Sequence, residues 1–213
     1  MTSRQYSLIG LTAPIWFFLV YIIMSSLRPE YSFLTKAISE LGTVDAPHKW
    51  WWNVLGYIIP GLMIAVFSVG LFKQVAGKGT NKLPLVGIMG SGLGMSLSGI
   101  FPGDMDNRES VTSLLHLTGS IGSYIFFLIG AFTYPKQMRR SDYWRAGIWP
   151  TLTFTWLTIL FGTLPYALPQ TPGLGQRLVF LCYFLWIFYT AIKLFRMPTQ
   201  MNRNDLDYEN SNL

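Results

Sequence analysis

Apolar residues along this chain neither alternate with polar ones nor recur every third or fourth position. They come in long blocks. Six can be drawn, at residues 8–26, 54–72, 84–101, 114–134, 148–168 and 178–195, and the fifth, "IWPTLTFTWLTILFGTLPYAL", is the least apolar. The only Lys, Arg, Asp or Glu inside them is Lys193, near the end of the last block, where a long side chain reaches the interface. A helical residue rises about 1.5 Å, so a block of about 20 matches the hydrocarbon thickness of a bilayer. A backbone in lipid must close its own hydrogen bonds, which predicts helices, and the alternation of a barrel strand is absent. The expected fold is all-α: an integral membrane bundle of six transmembrane helices in one domain, residues 1–197. Residues 198–213 read as a polar, disordered cytoplasmic tail.

Composition agrees. Only 12% of the 213 residues are charged, against about 25% in a soluble domain. The first block is too long for a signal-peptide core and no small-residue cleavage site follows it, so it reads as a retained anchor. Cys182 is the single cysteine, which leaves no internal disulfide.

The net charge of +6 would suit a nucleic-acid partner, but its distribution argues for topology instead. The N-terminus, residues 73–83, residues 135–147 and the C-terminal region hold 1, 3, 4 and 3 lysines and arginines. The three intervening loops hold 3, 1 and 1. Basic loops stay on the cytoplasmic side, which predicts both termini inside a cell membrane and no nucleic-acid partner. Glu30, Glu40, Asp45, Asp104, Asp106 and Glu109 then fall outside, with His48, His116 and Arg177. Nearly all acid–base and metal chemistry is thereby expected on one face.

The first loop, "LRPEYSFLTKAISELGTVDAPHKWWWN", is too structured for a linker, with a helical piece at Ser39–Leu41 and a stop at Gly42. Trp50 to Trp52 fit an interfacial aromatic belt. The third block carries a Gly90/Gly94 pair of the GxxxG type, and Gly87, Ser91, Gly94 and Ser98 share one face. The fourth answers with Ser113, His116, Ser120 and Ser123. Tight packing of these two helices explains the stripes, and so does a hydrated pocket between them. The Gly90/Gly94 face could also take a partner helix or a second copy.

An imidazole one turn inside a membrane helix needs a partner. The expected constellation has His116, Asp104 and Glu40 as catalytic candidates, with Arg177, Ser39, Asp106 and Ser120 binding. Arg177 and Arg108 could grip an anionic headgroup while the acids and His116 position or cleave it, or the cluster could be structural, knitting loops over the outer end of the bundle; Arg108 also reads as a solvated loop charge. A divalent metal on His116 and the carboxylates is one reading, although no HExxH or close histidine pair supports it. Haem is disfavoured, because His48 would have to reach the pocket from the interface. GxSxG, P-loop and CxxC patterns are absent, so ATP-driven or nicotinamide-dependent chemistry lacks support. Pro60 and Pro165 do not correspond in the two halves, unlike the paired broken helices of an inverted-repeat transporter.

"AISELG", "GIFPGD", "LLHLTGS" and "GLGQRLVFLCYFLW", in that order, resemble the prokaryotic multi-pass membrane family known as domain of unknown function 998. The likeness covers roughly residues 8–196. More distantly, Ser39-Glu40-Leu41-Gly42 with a following proline and the later histidine is similar to the eukaryotic Frag1/DRAM/Sfk1 group, which has Asp where this chain has Glu40. The resemblance implies six helices and a tie to membrane lipid, and it points at Ser39, Glu40, Gly42, Asp104, His116 and Arg177. The leading expectation is therefore an outer-leaflet polar site that binds or remodels a lipid or amphiphile headgroup. If it is an enzyme, a membrane-embedded lipid hydrolase or transferase is implied. A small-solute or proton-coupled transporter and a structural or regulatory subunit are the alternatives.

Overall fold

The computed structural model describes residues 1–77 and 79–198; most of the tail, residues 199–213, lies outside them. Six helices are long and apolar enough to cross a membrane: α1 Ser3–Ser26, α2 Lys49–Val75, α3 Leu83–Ile100, α4 Val111–Met138, α5 Asp142–Ala167 and α6 Pro172–Phe195. No strand occurs among the described residues. All but one begin several residues before the apolar blocks, and in α1 and α4 polar side chains cap the extended ends. Thr2 closes a capping box with Gln5 at the head of α1. Ser110 accepts from the Ser113 amide at the head of α4. α6 starts on Pro172, whose missing N–H costs nothing in a first turn.

Around the bundle the helices follow the order α4, α3, α2, α1, α6, α5, and α3 with α4 forms the most extensive pair. The closure of that ring, α4 against α5, is thin. In the apolar windows of α4 and α5 only 22% of residues are buried, against 44–56% in the other four helices. The centre is aromatic: Phe17 of α1 lies 4.5 Å from Phe184 and stacks at 5.1 Å on Phe180, both on α6. Trp52 and Tyr57 of α2 close the other side of this cluster. Trp50 and Trp51 are exposed as a belt requires, but Trp52 is fully buried. Successive helical residues point about 100° apart, so three in a row cannot share one surface.

α2 contains a π-helical turn, Asn53–Ile58, just ahead of Pro60. A proline ring crowds the carbonyl four residues back, and a widened turn relieves it. Carbonyls of this turn take donors from other helices: Trp16 Nε1 donates to Leu55 O at 2.9 Å, and Ser96 Oγ to Ile58 O at 3.1 Å. The turn thereby ties α2 to α1 and to α3. α5 is interrupted in its last third, where one helical segment ends at Gly162 and a short one runs from Leu164 to Ala167 with Pro165 in its first turn.

Candidate functional site

The 27–48 loop folds back over one end of the bundle, and Arg177 of α6 holds it there. Its Nε donates to Tyr21 Oη at 2.8 Å; its terminal nitrogens donate to Lys36 O, Gly173 O and Tyr31 Oη, each at 2.7 Å. The Tyr21, Tyr31 and Phe33 rings flank the guanidinium, with Phe33 only 4.4 Å away. Four of its five N–H groups are thus spent inside the protein, and the residue is 6% exposed. Burial pushes the Tyr31 hydroxyl above its ordinary titration range, and the positive charge of Arg177 opposes that rise. Glu40 belongs to the same assembly. Its Oε1 accepts from the Ala37 amide at 2.8 Å, closing the turn at Ile38–Gly42, and its Oε2 pairs with Lys36 at 3.1 Å. Gln176 Oε1 accepts from the Ile38 amide. Ser39 sits half-buried within that turn and makes no side-chain hydrogen bond among the described residues.

His116 is half-buried beside Tyr57, and its Nδ1 lies 2.8 Å from Ser98 O and 3.0 Å from Phe101 O. Two carbonyl neighbours require Nδ1 to carry the proton. These carbonyls end α3 and have no helical donor left, so His116 caps α3 from α4. Below it the two helices are zipped by hydroxyls. Ser98 Oγ and Ser120 Oγ are 3.0 Å apart, and Ser123 Oγ donates to Ser91 O at 2.8 Å. Packing and hydroxyl bonding together account for both polar stripes. Gly94 lies against Ser123 and Gly119 of α4 in the same chain, and Gly90 against the Phe126 ring.

Asp104 turns away from His116. Its Oδ1 accepts the amides of Asp106 at 3.0 Å and Asn107 at 2.9 Å, and its own amide donates to Ser113 Oγ. The carboxylates of Asp45, Asp104 and Asp106 lie within 4.8 Å of one another, brought together by the Val44 amide donating to Gly103 O. Oxygen-only sets suit hard cations, but such ions take about six to eight ligands, and two of these three side chains are exposed. His116 stands outside the set. The expected constellation is therefore three separate groups: Arg177 with Glu40 and Ser39, His116 on the end of α3, and the aspartate loop.

Where α4 and α5 fail to meet, a cleft of about 760 Å³ opens between α3, α4, α5 and α6. Its floor is apolar, with Met95, Phe127, Val179 and Phe180. Ser120, Ser123, Tyr124 and Tyr183 set hydroxyl-bearing side chains on its walls, and Gln176 and Arg108 stand at its mouth under the folded loop. The cleft is open sideways between α4 and α5, where its lining residues Leu117, Ile121 and Tyr166 are 51%, 50% and 89% exposed. Lower down the gap closes, with Tyr124 Oη donating to Thr158 O at 3.4 Å and Phe132 meeting Trp156. Of the catalytic and binding residues expected to form the site, Ser120 alone lines this cleft; Arg108, open from the sequence as either a headgroup grip or a solvated charge, stands at its mouth.

Six membrane-length helices define a multi-pass membrane protein, and a laterally open cleft lies among four of them. A family model described as "Protein of unknown function (DUF998)" matches residues 11–193, and the chain belongs to that family. Neither a curated protein nor a solved structure matches it.

Proposed function

We propose that this protein binds a lipid or another amphiphile in the cleft between α4, α5 and α6, with the headgroup under the 27–48 loop. The observation that carries this reading is the lateral opening. Ligand sites usually span about 300–1,000 Å³ with mostly apolar walls and a few placed polar groups, and the cleft matches on each point. A water-soluble solute would have no use for an entrance that faces hydrocarbon. An acyl chain can slide in from the bilayer while its head stays at the depth of Arg108 and Gln176. The basic loops at the other end support a cell-membrane orientation with both termini inside, and with it a cleft in the outer leaflet.

Gly162 lines the cleft, and a Cβ there meets only Tyr124 Oη at 3.5 Å and Val179 Cγ2 at 3.9 Å, so Gly162→Phe is expected to occupy part of the space with no clash at its Cβ. Protein purified in mild detergent should carry one amphiphile class enriched over the bulk membrane, and Gly162→Phe should lose it. Bulk composition in both preparations would sink the reading. Orientation is read by labelling Asp106→Cys, in a Cys182→Ser background, with an impermeant reagent on intact cells. Labelling that needs lysis would turn the molecule round.

A further inference from the structure

We infer that the cleft selects amphiphiles with an anionic head, through the guanidinium of Arg108; this rests on the amphiphile reading above and specifies its ligand class. Among the described residues, Arg108 is the single charged one lining the cleft, with no Asp, Glu, Lys or His beside it there. Among the described residues no carboxylate lies within 4.0 Å of it to neutralise it. Of the nearby acids, Glu40 is engaged with the Ala37 amide and Lys36, and Asp104 with two loop amides, while the exposed Asp106 and Glu109 form no ion pair with Arg108 among the described residues. Of the other arginines at this end, Arg177 has turned four of its donors to Tyr21, Tyr31, Lys36 and Gly173, and Arg28 donates to Glu30 and to Glu40 O. Arg108 is exposed and carries no side-chain hydrogen bond among the described residues, so its planar fork is available for a two-oxygen acceptor.

Gln176 supplies a second donor at the same mouth. Its carbonyl oxygen is held by the Ile38 amide, which leaves the NH₂ group without a protein acceptor among the described residues. A phosphate or carboxylate head between Arg108 and Gln176 would keep its chain against Phe180 and Val179. A cationic head would meet like charge there, and an uncharged one would gain only the Gln176 bond.

The experiment titrates wild-type protein in zwitterionic nanodiscs with dodecyl phosphate and with dodecyl glucoside, an uncharged head on the same chain. Inorganic phosphate serves as competitor. Dodecyl phosphate should bind about tenfold more tightly, the scale of one charge-assisted contact. Arg108→Gln should erase that preference by weakening dodecyl phosphate alone, and Arg108→Lys should keep part of it. Gly162→Phe should weaken both ligands. Equal wild-type affinities, with both weakened by Gly162→Phe, would overturn anionic selection and leave the amphiphile reading standing. Binding indifferent to Gly162→Phe, or no saturable binding, would overturn both. Displacement of dodecyl phosphate by inorganic phosphate at comparable concentration would assign the site to a free anion and overturn the inference.

Discussion

α4 has two unlike sides. Towards α3 it is sealed: a Cβ on Gly94 would sit 2.7 Å from Ser123 N and 2.9 Å from Gly119 O, and one on Gly119 would sit 2.8 Å from Ser98 N. Towards α5 it stands away, and a Cβ on Gly162 meets only ordinary contacts at the edge of the cleft. Without water between helices, association in lipid depends on close packing and interhelical hydrogen bonds. The α3 side has both, whereas the α5 side has the Tyr124–Thr158 bond and the Phe132–Trp156 contact. The open side is therefore not general looseness of the helix. One face of α4 is fixed rigidly enough to serve as the cleft wall while the other is left uncovered.

The largest expected effect tests that contrast directly. Gly87 backs onto the Gly130 backbone, so Gly87→Leu must push α3 from α4, at a cost of about 3 kcal/mol or more. Gly162→Phe adds a bulkier group yet should change stability by no more than about 0.5 kcal/mol. Unfolding midpoints in mixed micelles check both. Equal losses for the two variants would mean that the two sides of α4 do not differ.

Next in size is Arg177→Met. It removes four hydrogen bonds from a charged donor and frees the 27–48 loop that roofs the cleft, for a loss of about 2–3 kcal/mol. Arg177→Lys should recover little, because an ammonium cannot span the same four acceptors. The distinguishing readout is protease cleavage within residues 27–48, which should rise in both variants while the Gly87 contact stays protected. A melting point that falls without new cleavage there would separate Arg177 from the loop.

Much of this was legible from the sequence, and the rest was hidden for physical reasons. The six spans stand out because a bilayer demands a length and an apolarity that little else requires. The α3–α4 seam was readable as stripes of glycine and serine at helical spacing. His116 was legible as an intramembrane imidazole in need of a partner, but its Nδ1 partners, the Ser98 and Phe101 carbonyls, were not, because backbone atoms leave no mark in a residue pattern. The engagement of Arg177 with Tyr31 and Lys36 depends on how a loop folds back across more than a hundred residues. The cleft was hardest, because it consists of contacts that α4 and α5 do not make. Its traces were the low apolarity of the fifth block and the Gly162 and Pro165 pair that interrupts it.

The smallest effect is expected where the two sides of α4 adjoin. Ser120 takes part in the sealed seam through its 3.0 Å contact with Ser98, and it also lines the cleft. Ser98 keeps two further acceptors, Gly94 O and His116 O, so Ser120→Ala leaves no orphaned donor behind. Interhelical hydrogen bonds in membranes average about 0.6 kcal/mol, and the loss should fall there or below. Replacing a hydroxyl with a methyl also makes that part of the cleft more apolar. Ser120→Ala should therefore leave the unfolding midpoint almost unchanged and hold or slightly strengthen dodecyl chain binding. A loss of several kcal/mol would show that the seam depends on this hydroxyl more than on its glycines. Weaker amphiphile binding at unchanged stability would move the headgroup contact from the mouth, at Arg108, down to Ser120.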